Sequence, residues 1–175
     1  SALNTETIMS DDTTPETDAA AINNLKEGDQ VPLVIHGQYI KDLSFEIPGA
    51  PQIFLEAPKG QPEVNLNLDV QVEGISEDVF EVILDIKAES KIAGQVTYIL
   101  ELKYAGLFTL RVPEHHRAAA LFVECPRLMF PFARAIMADI SRDGGFQPLV
   151  LGLIDFAALY QQNIDNLQSQ VKSDS

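Results

Sequence analysis

Two adjacent histidines, His115 and His116, a single cysteine, Cys125, and acids scattered through the middle of the chain are the side chains on which chemistry could rest. Neighbouring residues on a helix point about 100° apart, so His115 and His116 cannot grip one ion together. Glu114 and Glu124 do not complete a ligand set, and no metal site is expected. Cys125 precedes Pro126 among apolar neighbours, which suits a small buried thiol better than a nucleophile. No GxSxG, HExxH, Walker loop or GxGxxG occurs. Carboxylates are plentiful, so chance pairs are common, and a pair would need burial and a raised pKa to act as general acid and base. A small acid–base enzyme stays open on these grounds alone, although the sequence is poor in catalytic candidates and no cofactor is expected.

Composition narrows the partners. The chain has 175 residues, enough for one core, and 46% of them are apolar. Its formal net charge of −14 repels nucleic acid and anionic lipid. One cysteine allows no intrachain disulfide, no apolar leader opens the sequence, and no window reaches the length of a membrane span. These features predict a cytoplasmic protein with no stable membrane insertion. Residues 1–30 lack an apolar period and are expected to form a disordered acidic arm; 31–168 form the folded domain, and 169–175 a disordered tail.

The elements that must position any binding surface follow from hydrophobic period. Between Val31 and Pro113 the period is two. Ile35, Tyr39, Leu43, Phe45 and Ile47 alternate with polar residues; so do Val64 to Val72, Phe80 to Ala88 and Val96 to Tyr104. Four strands with one dry and one wet face are predicted. The short Gly-bearing connections 73–78 and 90–95 require antiparallel pairing. Pro48 to Pro62 is a long, proline-broken loop that nevertheless holds Ile53, Phe54 and Leu55. After Pro113 the period becomes helical: 114–124, then 127–142 with a kink expected at Pro131, stopped by Asp143-Gly144-Gly145, and a last helix from about Asp155, its N-cap, to Gln168. Strands followed by helices give an α+β fold, a four-stranded antiparallel sheet with helices packed on one face.

Two surfaces remain to be explained. The middle helix is apolar nearly all round, so it lies deep in the fold or is covered by a second chain. The wet sheet face carries Asp42, Glu46, Asp69, Glu73, Glu81, Asp85, Glu89 and Glu101 against Lys87 and Lys103. It is either a solvated face or a docking surface for a basic partner. The apolar irregular segments around Phe54 and from Phe146 to Ile154 either cap the sheet or line a groove.

An ordered set of segments resembles the SecB family of protein-export chaperones. It comprises Tyr39 to Glu46 with Pro48 and Ala50-Pro51, Gln61-Pro62-Glu63-Val64, Asp78-Val79-Phe80-Glu81-Val82, and Glu124-Cys125-Pro126-Arg127-Leu128-Met129-Phe130-Pro131-Phe132-Ala133-Arg134, similar to the family's "CP…LFP.AR". It closes with Gly145 to Leu149 and Ile154 to Tyr160. The resemblance implies an ATP-independent chaperone that holds unfolded secretory precursors and delivers them to the motor ATPase SecA, whose zinc-bearing C-terminal tail is basic. It implies a homotetramer, a dimer of dimers with helices between the layers, and Leu128, Met129, Ile136, Met137 and Ile140 at the oligomer interface. Client grooves are implied at Ile53, Phe54, Phe130, Phe132, Leu149, Leu151, Ile154 and Phe156. SecA docking is implied at Asp42, Glu46, Ile99 and Glu101. The alternative is a peptide-binding chaperone or scaffold serving a narrower partner such as an antitoxin. The first interstrand loop is slightly long and lacks the Trp that many members carry before Gln-Pro-Glu, the arm is longer than usual, and the acidic C-terminal tail is short.

Overall fold

The computed structural model describes residues 32–173. The arm expected at 1–30 lies outside the described residues, as do 31, 174 and 175. Four long strands come first: β1 Leu33–Glu46, β2 Pro62–Gly74, β3 Val79–Ile92 and β4 Gln95–Leu110. All pairings are antiparallel and the sheet order is β1-β4-β3-β2. β1 and β2 therefore stand at opposite edges. The proline-broken connection between them has to cross three interstrand spacings, roughly 14 Å, which accounts for its length. It also holds a single helical turn, α1 Gln52–Leu55, that the sequence pattern does not announce. β3 and β4 are joined by Ala93-Gly94, both at positive φ (50° and 81°), the two-residue turn whose twist matches a hairpin.

Two bulges in β1 revise the alternation predicted there. Pairing with β4 skips between Ile35 and Gly37, and again between Ile40 and Asp42. Each extra residue reverses the facing of what precedes it. Tyr39, expected among the dry positions, pairs with Ala105 on the wet side, while Ile40 pairs with Tyr104 on the dry side. From Asp42 to Glu46 the expected facing holds.

The helices are α2 Glu114–Ala119, a π-helical turn Ala120–Glu124, α3 Cys125–Asp143 and α4 Phe156–Ser173. α3 continues through Pro131, and a wide π-helical turn that the sequence pattern does not announce precedes Pro126. Cys125 N–H donates to the Ala120 carbonyl, five residues back, and Pro126 has no N–H to restore the tighter ladder. α3 stops where predicted, with Gly144 N–H donating to Ile140 O at 2.8 Å and Gly145 at φ +96°. Asp155 caps α4, its Oδ1 accepting from Ala158 N–H at 3.0 Å. α4 runs five residues past its expected end, so 169–173 are helical rather than a disordered tail.

The core lies between the sheet's dry face and α3. Val82, Leu84, Ile86 and Ala88 of β3 and Leu100, Leu102 and Phe108 of β4 pack with Met129, Phe130, Ala133 and Met137. The approach is close at Gly106, where a Cβ would stand 2.6 Å from the Phe108 ring and 3.2 Å from Met129 Sδ. Each buried Val, Leu, Ile, Phe or Met side chain here gains about 1.5–3 kcal/mol on burial, before ordering costs.

Candidate functional site

At the end nearest the β3–β4 hairpin the dry face is covered by the irregular segment before α4. There a cleft of about 250 Å³ opens between the sheet and the segment before α4. Val64, Ser90, Ile92 and Tyr98 form its floor, and Phe146, Pro148, Leu149 and Val150 its wall. An aromatic cluster stands beside it. The Phe146 ring lies 5.0 Å from Tyr98, 5.6 Å from Phe54 and 6.3 Å from Phe45, with centroids at the spacing of favourable tilted and edge contacts. The wall is tied to α3 by Ser141, which is wholly buried. Its Oγ accepts from Leu149 N–H at 2.8 Å, and its backbone carbonyl accepts from Phe146 N–H at 3.1 Å. Large apolar side chains are exposed in the flanking segments: Phe54 and Leu55 in the crossing connection, Val150 and Leu153 before α4. Such a lining is non-directional and suits many apolar sequences.

A wider cleft of about 550 Å³ runs along α4, lined by Phe122, Tyr160, Asn163, Ile164 and Leu167 with Asp69 at the strand edge. The Phe122 and Tyr160 rings stack there at 5.4 Å.

The opposite face of the sheet is acidic. Glu46 pairs in register with Ile99, Ser44 with Glu101, and Asp42 with Lys103. Across β4, Lys87 stands opposite Glu101 and Asp85 opposite Lys103. The bulge at Lys41 gives this face a feature that simple alternation misses: Lys41 Nζ and Tyr39 Oη both donate to the nearly buried Glu81, the latter at 2.7 Å. The two donors hold the Glu81 carboxyl below its usual range, and the same carboxylate pushes the Tyr39 phenol up to about 12. The side chains first considered for catalysis are placed unfavourably for it. Cys125 is buried in the core, and burial aided by Glu124 pushes its thiol up to about 12. His115 and His116 lie ring against ring at 4.0 Å, and no group of His, Cys, Asp and Glu among the described residues gathers as a metal site would.

Comparison with known proteins decides what these faces belong to. The profile of the family described as "Preprotein translocase subunit SecB" matches residues 26–167. The chain belongs to the SecB family. "Protein-export protein SecB" of Rhodospirillum rubrum is 50% identical over 147 residues, covering 84% of this chain and 91% of that one. Its counterpart in Paramagnetospirillum magneticum is 48% identical over 138 residues, covering 79% and 89%. Among solved structures, a SecB-like chaperone of Mycobacterium tuberculosis, in complex with a peptide from the HigA1 antitoxin, superposes with a TM-score of 0.60 at 15% identity, covering 70% of this chain and 91% of that one. The last likeness shows the fold, and the SecB-like α+β architecture is the one predicted. The function of the chain is that of a SecB protein-export chaperone.

Within that SecB framework the residues singled out from sequence separate into exposed and enclosed groups. Of the groove candidates, Phe54 and Phe132 are exposed, 51% and 54%, and Ile154 is half-buried. Ile53, Phe130, Leu149, Leu151 and Phe156 are buried. Leu149 reaches the smaller cleft, and Phe54 joins it through Phe146. Phe130 and Phe156 form an edge-to-face pair at 5.7 Å inside the core. Of the residues assigned between subunits, Met129 and Met137 are wholly enclosed by their own sheet, which corrects that assignment for these two. Ile136 and Ile140 are half-buried, whereas Leu128 is exposed and continues into an outer stripe with Pro131, Phe132 and Ala135. Asp42, Glu46, Ile99 and Glu101 share one face. Tyr98, Phe45 and Val64 had no site role in the sequence reading, and Phe146 stood there only within a segment that either caps the sheet or lines a groove. A phenylalanine directly after Gly-Gly was the available signal, because a chain reversal after a helix returns the next side chain toward the sheet.

Proposed function

We propose that the chain binds unfolded secretory precursors through the apolar clefts and passes them to SecA through the acidic sheet face. The observation that carries this reading is the separation of the two surfaces. The aromatic-rimmed cleft opens on the dry side of the sheet, and the carboxylates with Ile99 lie on the other. A client and a basic partner can then be held together without competing. Burial of a few client side chains, each worth about 1.5–3 kcal/mol before ordering costs, suffices for useful affinity when subsites act jointly. The exposed stripe of Leu128, Phe132 and Ala135 on α3 supports assembly through this helix, and the reading extends to a homotetramer, a dimer of dimers, that multiplies subsites. We infer a cytoplasmic, ATP-independent holding activity with no chemical turnover. A denatured precursor diluted into buffer provides the test: the protein should delay its refolding at stoichiometric amounts, and added SecA should recover a ternary complex. Unaltered refolding excludes the holding activity, and failure to recover SecA excludes the docking assignment.

A further inference from the structure

The acids of the sheet face are not equivalent. Glu81 is held by Lys41, Glu89 by Lys91 at 2.6 Å, Asp85 by Lys103 at 3.7 Å and Glu101 by Lys87 at 2.5 Å. Asp42, Glu46, Asp69 and Glu73 make no ion pair among the described residues. Of the three docking carboxylates, only Glu101 therefore carries an internal counter-ion. Lys87 is its cross-strand neighbour, and both side chains are about half exposed. A second resting place for the lysine lies on its other side. Asn65, Asn67 and Glu89 join Lys87 around a shallow cleft of about 220 Å³, with Asn67 directly opposite Lys87 and Asn65 opposite Glu89. An ammonium on a four-carbon stem can leave one carboxylate for such a polar cleft without being desolvated.

We propose that Lys87 is a displaceable internal counter-ion that competes with a basic partner segment for Glu101 and so sets the strength of docking. The inference rests on the reading of this face as a docking surface. Asp42 and Glu46, already unpaired, make first contact. A partner cation then takes Glu101 only by moving Lys87 toward Asn65, Asn67 and Glu89. An exposed ion pair is a weak competitor, so the attenuation is about two- to fivefold and not a block. An arginine, which can fork two N–H groups onto the carboxylate, displaces Lys87 more readily than a lysine does.

Titration calorimetry of the full chain with a zinc-loaded peptide of the SecA C-terminal tail tests this. Lys87→Met should tighten binding about two- to fivefold beyond the change caused by Lys91→Met, which removes the same charge from the same face. In a Glu101→Gln background the advantage of Lys87→Met over Lys91→Met should vanish. Equal effects of the two lysine variants, or an advantage that persists without Glu101, overturn the proposal while leaving docking intact. If the wild-type chain does not bind the peptide, or if Glu46→Gln and Glu101→Gln change nothing, the docking reading itself fails and the Lys87 proposal with it.

Discussion

Leu149 N–H donates to Ser141 Oγ at 2.8 Å, joining the wall of the smaller cleft to α3 across eight residues. The same hydroxyl lies 2.9 Å from Met137 O and 3.0 Å from Ala138 O, so one small side chain satisfies the loop and turns back on its own helix. Ser141→Ala should leave the Leu149 N–H buried and unpaired, at a cost of about 1–3 kcal/mol. Urea denaturation should show the loss, and hydrogen exchange should show it concentrated at residues 146–150. An unchanged midpoint would rule out this tether.

Exposed and enclosed phenylalanines should behave differently. Phe156 is 1% exposed and packs on Phe130, so Phe156→Ala should destabilise the fold by about 3–5 kcal/mol. Phe54 is half exposed and meets the Phe146 ring at a tilt, with centroids 5.6 Å apart, so Phe54→Ala should cost about 1 kcal/mol or less. Phe54→Ala should nevertheless shorten the refolding delay imposed on a denatured client. Equal stability losses in the two variants would contradict the burial found here.

Charge reversal on the acidic face should separate the two binding activities. Glu46→Lys and Glu101→Lys each place a cation beside Ile99, whose neighbours across the strands are Glu46 and Glu89. SecA affinity should fall roughly tenfold, more steeply at low ionic strength, with client affinity unaltered. Parallel titrations of both ligands would check this, and loss of client binding would point to misfolding instead.

The Glu81 network has a pH signature. The Glu81 carboxyl is lowered from its ordinary 4.5 by Lys41 first and Tyr39 second, so its stabilising contribution is complete above pH 4.5 and is lost as pH falls through the lower folded value. Tyr39 is raised from 10.0 to about 12, so its contribution is complete below pH 10 and is lost as pH climbs toward 12. Glu81→Gln should return the Tyr39 titration toward 10, read by phenolate absorbance. Lys41→Met should move the Glu81 carboxyl upward in an NMR titration.

Assembly offers the simplest check on the outer stripe of α3. Native mass spectrometry should give a species near four times the 19.2 kDa chain. Leu128→Asp and Phe132→Asp, both at exposed positions, should lower that mass without unfolding the subunit, because neither side chain belongs to its core. A wild-type monomer would overturn the tetramer.

By itself the sequence determined the class of fold, the antiparallel pairing and the sidedness of the acidic face, because strand period and short Gly-bearing turns are local signals. The order of segments such as Glu124 to Arg134 also carried the family. Tertiary structure alone decided which apolar residues stay available. Met129 and Leu128 are neighbours of similar hydropathy, yet one is sealed over Gly106 and the other faces out. Periodicity cannot tell them apart on a helix that is apolar all round, since only the position of the sheet selects the buried stripe. The same holds at Tyr39. A bulge adds one residue to a strand with no mark in composition, and it turned a residue expected in the core into the partner of Glu81.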